Sequence, residues 1–151
     1  MKKLLFWAGA LILIMIIIFV FSSFNAEQSG GKSDFIVNAP LSVLYDWFGI
    51  SLTTAVLNWL SFLVRKSAHL FIYFALGFCA ANTLSQITDN RKRVFWISLC
   101  WCSFYGATDE IHQYFIPGRS AMWQDWVLDT VGALIGVGVV LFHKKRWCFI
   151  K

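Results

Sequence analysis

Nine polar side chains interrupt stretches of this chain that are otherwise apolar: Lys66, His69, Asp109, Glu110, His112, Gln113, Arg119, Asp125 and Asp129. An ionisable group inside a membrane-length helix costs about 2.5–3.5 kcal/mol on insertion scales, so a group of them needs a task. Asp109, His112 and His69 are the candidates for proton transfer, because a neutral imidazole beside a carboxylate is the usual acid–base pair. Lys66 and Arg119 are candidates for holding phosphate or carboxylate oxygens. Arg119 follows Pro117-Gly118, a turn from which a guanidinium can present its fork. Gln113, Glu110, Asp125 and Asp129 complete the substrate-binding set. The chain has no Gly-x-Ser-x-Gly, no His-Glu-x-x-His and no Walker loop. Asp-Glu-x-His alone is a weak metal pattern, so no metal ligand is assigned, and the motifs name no cofactor.

The elements that must position these groups follow from composition. The chain has 151 residues, enough for one domain, of which 58% are hydrophobic and 14% charged. Its mean hydropathy is +0.64. These values exclude a soluble domain, a disordered tail and a nucleic-acid-binding domain, and they describe an all-α membrane protein. Four transmembrane helices are expected at about residues 4–24, 66–84, 94–115 and 125–142. Residues 41–64 are apolar but carry Asp46, Gly49, Thr53, Thr54 and Asn58, with Trp47 and Trp59 as interface formers. They read as an interfacial or re-entrant helix, with a full span as the alternative. The resulting division is a first anchor at 1–24, an extracytoplasmic loop with the interfacial helix at 25–57, a helical core at 58–142 and a basic cytoplasmic tail at 143–151. The four cysteines read as small apolar residues.

Basic residues orient these spans. With Lys2 and Lys3 inside, four spans place Arg91, Lys92, Arg93, Lys144, Lys145, Arg146 and Lys151 inside as well, nine of the thirteen Lys and Arg. Both termini are then cytoplasmic in the cell membrane, and the basic pI needs no nucleic-acid partner. Asp109 lies fifteen residues beyond Val94, about 22 Å along a helix, towards the outer surface. Asp125 and Asp129, like Lys66 and His69, descend from that same surface. Three helices therefore bring polar groups to one level, and the i,i+3 and i,i+4 spacings put them on shared faces. Cross-linking of helices is the plainer explanation; so many groups at one depth favour a site. Lys66 and Arg119 set against four carboxylates leave a net charge of −2 with the histidines neutral. An anion would need protonated acids or a divalent cation between. The lack of an oxygen-rich loop tips this balance towards shared protons. Gly132 and Gly136 give the last span a small face for close packing.

Between residues 58 and 142 the chain carries, in order, Arg65-Lys66-Ser67-Ala68-His69, Tyr73, Leu76-Gly77, Thr108-Asp109-Glu110-Ile111-His112-Gln113, Pro117-Gly118-Arg119, Asp125, Asp129, Gly132 and Gly136. In these residues it resembles the VanZ-like family of small membrane proteins. It departs at Ile72, where many members carry a glutamate, and at Thr108, often a serine. The family is named for a member associated with low-level teicoplanin resistance. The resemblance therefore implies action on the outer face of the cytoplasmic membrane, where lipid-linked wall precursors lie. Three functions stay open: binding or protecting an envelope lipid, transferring or hydrolysing a lipid-linked phosphate, and cation- or proton-coupled transport. The last needs more than four spans, and a homodimer is one way to supply them.

Overall fold

The computed structural model describes residues 1–24, 53–119 and 121–148, with side chains to residue 143. Among the described residues every regular element is an α-helix: α1 (Lys2–Ser22), α2 (Thr54–Leu84), α3 (Arg91–Tyr114) and α4 (Trp123–Cys148). Three are long and apolar enough to cross a membrane: Lys2–Ser22, Thr54–Leu84 and Trp123–His143. Helix α3 has 24 residues but carries Arg91, Lys92 and Arg93 at one end and Asp109 and Glu110 near the other. Asn90 starts it, its side chain accepting from the Arg93 amide at 3.2 Å.

Two boundaries differ from the sequence expectation. A span was expected to begin near Lys66 after a separate helix at 41–64, yet residues 54–64 continue without a break into the rest of α2. Neither Pro nor Gly stands between Thr53 and Lys66, and arginine and lysine are good helix formers, so Arg65-Lys66 marks a polar level and not a helix start. Residues 41–52, and with them most of the expected 25–57 loop, lie outside the described residues. Similarly α4 runs through His143-Lys144-Lys145-Arg146 to Cys148. Those charges end the apolar span at His143 but do not stop the helix.

The helices alternate in direction. Trp7 packs edge-on against Phe78, and the Arg91 guanidinium donates to the Leu141 carbonyl, which gathers the start of α1, the end of α2, the start of α3 and the end of the α4 span. Ser22, the last residue of α1, and Ser23, which caps it, meet Gln113 and His112 of α3 at the opposite end. The most extensive packing is between α2 and α4, and glycines explain it. A Cβ on Gly77 would strike the Ala133 backbone; one on Gly136 would strike the Phe74 carbonyl and lie 2.8 Å from the Phe78 nitrogen. Backbones approach this closely only where side chains are missing. Below this seam Ala81, Val94, Val137 and Val140 form an apolar core. Ile18, Leu76, Ala80, Cys102 and Ala133 form another beside the site, with Ile72 packed against it. Cys79 and Cys102 are buried free thiols, and Cys100 is an exposed one.

The distribution of polarity is the reverse of a water-soluble bundle. Phe71 is 70% exposed while Asp129 has no exposed surface, and Trp96, Phe104 and Ile111 also face outward. An outer face this apolar requires an apolar solvent.

Candidate functional site

The polar groups converge where α2, α3 and α4 meet near the C-terminal end of α1. On α2, Lys66, His69 and Tyr73 recur at helical spacing on the face turned to α3 and α4. The Lys66 ammonium pairs with the Asp125 carboxylate, and both are only about one-fifth exposed. One turn further along each helix, His69 Nδ1 stands 3.5 Å from Asp129 Oδ1, close enough for an ion pair but without hydrogen-bond geometry. On α3, Gln113 donates to Asp109 Oδ2 at 2.9 Å, a one-turn contact that holds the carboxylate in place. Glu110 accepts the Met122 amide at 2.9 Å and so ties α3 to the start of α4.

Pro117-Gly118 supplies the turn between α3 and α4, with Gly118 at φ 77°, the left-handed region that favours glycine. The turn points Arg119 inward, where its guanidinium donates to the Ser22 carbonyl at 3.4 Å. Burial pulls the Arg119 pKa below its usual range, opposed by the charges of Asp109, Glu110 and Asp125. A guanidinium starts high enough to remain charged.

These elements enclose a cavity of about 150 Å³. Arg65, Lys66 and Arg119 bring three positive charges to its wall and Asp125 one negative, with His69 and Gln113 as further hydrogen-bonding groups and Phe62, Gly118 and Met122 completing the lining. The net −2 obtained by pooling all the charges therefore does not describe this space. Asp109, Glu110 and Asp129 do not line it; they lie buried behind the wall, each touching one lining residue. The structure thus separates the expected residues into two layers. Lys66, His69, Gln113, Arg119 and Asp125 surround a cavity with a positive excess, and Asp109, Glu110 and Asp129 form an acidic layer beneath it.

The ninth residue goes elsewhere. His112 stacks on Phe19 with ring centroids 4.8 Å apart, and its Nε2 lies 3.2 Å from Ser23 Oγ. Of the two same-face neighbours that the spacing gives Asp109, Gln113 makes the contact and His112 does not, and of the two candidate imidazoles the one that faces a buried carboxylate is His69.

Four contributors escaped the sequence reading as site residues. Arg65 stands in the sequence only as part of the Arg65-Lys66-Ser67-Ala68-His69 motif. Tyr73 carries no role in the sequence beyond the resemblance, but it is buried and its hydroxyl has no hydrogen-bond partner. Ser22 and Ser23, at the end of an apolar run, bind Gln113 and His112. The visible signal was a pair of hydroxyls closing a span just where the polar level lies.

No curated protein and no solved structure matches this chain. Its helices, its buried polar level and the order of residues that builds that level are accompanied by a family-model match over residues 7–144, which extends the likeness from the expected 58–142 back into α1. The chain belongs to the VanZ/LLP1 family of membrane proteins.

Proposed function

We propose that this protein binds the anionic headgroup of an envelope lipid, such as a lipid-linked wall precursor, in the cavity between α2, α3 and α4. The observation that carries this reading is the lining of that cavity, three cations against one carboxylate, with a fork-shaped guanidinium among them. A space of about 150 Å³ suits a phosphate-sized group with the lipid tail left outside, against the exposed apolar faces. In this reading α3 spans the membrane with the other three helices, both termini are cytoplasmic, and the cavity opens at the outer leaflet. Trp59, Trp123 and Trp126, all exposed near the cavity end, suit a membrane interface there. Occupying or shielding a wall precursor would account for teicoplanin resistance.

The test is extraction and mass spectrometry of lipid from the purified protein. Wild type should carry a phosphorylated lipid, and Arg119→Ala should lose it, by roughly tenfold or more, at unchanged abundance in the membrane. Equal lipid in both would end the proposal. Labelling of single cysteines at positions 92 and 119 should place the first inside and the second outside.

A catalytic version of the same reading has one observation in its favour. His69 lines the cavity with Asp129 behind it, the arrangement of a general base and the group that orients it. Release of the headgroup or phosphate from bound lipid, abolished by His69→Gln, would convert binding protein into enzyme.

A further inference from the structure

The acidic layer beneath the cavity has its own unanswered chemistry. Asp109, Glu110 and Asp129 come from two helices, and one oxygen of each lies within 4.8 Å of the others. That is the span across a cation with oxygens at about 2.4 Å on either side. All three residues are buried, at 5%, 6% and 0% exposure. Glu110 Oε1 and both oxygens of Asp129 have no hydrogen-bond partner. Carboxylates crowded together, with oxygens left without hydrogen bonds in a low-dielectric interior, need compensating charge beyond the one His69 beside Asp129.

A second, independent group is buried beside the acids. Tyr73 is 1% exposed and its hydroxyl also lacks a partner. Gly106, one turn before Asp109 and Glu110, makes room for it: a Cβ there would lie 3.4 Å from the Tyr73 ring and 3.7 Å from the Asp129 Cβ. The phenol therefore passes Gly106 beside Asp129, within electrostatic reach of all three acids. The acids are also held from behind as metal ligands commonly are. Gln113 orients Asp109, the Met122 amide orients Glu110, and His69 stands against Asp129.

The geometry points to a site for one hard divalent cation, of the Mg²⁺ or Ca²⁺ class, held by Asp109, Glu110 and Asp129 with the Tyr73 hydroxyl beside it. The all-oxygen donor set selects hard ions over Zn²⁺ or Cu²⁺. This reverses the preference for shared protons drawn from sequence, because the three acids are close enough to share a cation while Glu110 Oε1 and both oxygens of Asp129 accept no hydrogen bond. The inference is separate from headgroup binding: the cation lies behind the cavity wall and is detected with no lipid present.

The full-length protein, purified in detergent and stripped with chelator, is titrated with Mn²⁺ while free Mn²⁺ is followed by electron paramagnetic resonance. One Mn²⁺ per chain should bind and be displaced by Mg²⁺ or Ca²⁺. Glu110→Gln and Asp129→Asn should each weaken binding roughly 100-fold or more. Both variants should still show a cooperative thermal transition in chelator, which separates lost ligands from lost fold. If either fails to fold, the wild-type stoichiometry with the surviving variant decides. Absence of saturable Mn²⁺ binding to folded wild type would overturn the site in favour of shared protons. Binding that survives both substitutions would overturn it in favour of acids elsewhere in the chain.

Discussion

Two neighbouring stretches of the α2–α4 interface solve the same packing problem in opposite ways. Around Gly77, Gly132 and Gly136 the helices touch backbone to backbone, and the side chains clustered beyond them, Ala81, Val94, Val137 and Val140, are apolar. One turn away, Lys66, His69, Asp125 and Asp129 stand in the same interface, and His69 and Asp129 retain buried polar atoms without partners. The first stretch is what a membrane bundle needs for stability. The second detracts from stability, and such groups persist where a ligand uses them. The difference also has a mechanical side. The glycine seam draws the helices so close that His69, next to Leu70, is pressed towards Asp129, one turn before Gly132 and Ala133. The stable region therefore sets the geometry of the costly one.

Separating the seam should produce the largest effect. Gly136→Val places side-chain atoms against the Phe74 carbonyl and Phe78 nitrogen, which cannot yield without moving α2. A loss of about 3 kcal/mol or more is expected in tryptophan-monitored thermal unfolding in detergent, with anion and Mn²⁺ binding weakened together. Unchanged binding would show that the seam does not set the site's geometry.

Neutralising the costly stretch should act in the opposite direction. In chelator, Asp129→Asn removes a buried charge that accepts no hydrogen bond, at the expense of its 3.5 Å contact with His69, and should stabilise the fold by about 1 kcal/mol, while cation binding is lost. A lower melting temperature than wild type would mean that Asp129 is a structural tie.

Smaller effects sharpen the contrast at positions away from both stretches. Asn90→Ala removes the cap of α3 at the end far from the cavity and should cost about 1 kcal/mol with both binding activities intact. Gly138, whose Cβ would meet nothing within 4 Å, should accept alanine with a gain of about 0.5–1 kcal/mol, which shows that the seam glycines matter by position and not by type.

Much of this was legible along the chain. The apolar runs announced helices in a membrane, Gly132 and Gly136 announced a close contact, and counting residues from each end brought Lys66, Asp109 and Asp125 to one depth. Those inferences depend on the rise per residue and on composition, which are properties of one helix at a time. Helix limits were less legible, because Arg65-Lys66 and the basic run after Phe142 change polarity without breaking a helix.

The sequence by itself determined that nine polar groups share a level in a membrane bundle and which of them share a face of their own helix. Only the tertiary structure decided how those faces are rotated against one another. That rotation sends His112 to Phe19 and Ser23 of α1, brings His69 and not His112 to a buried acid, and separates a positively lined cavity from the acids beneath it. Helical periodicity relates residues within one helix, whereas its azimuth towards its neighbours is set by which surfaces pack. Here the glycine contacts of α2 with α4, and the tie of Tyr105 to the Met15 carbonyl between α3 and α1, are among the packing contacts that hold those azimuths.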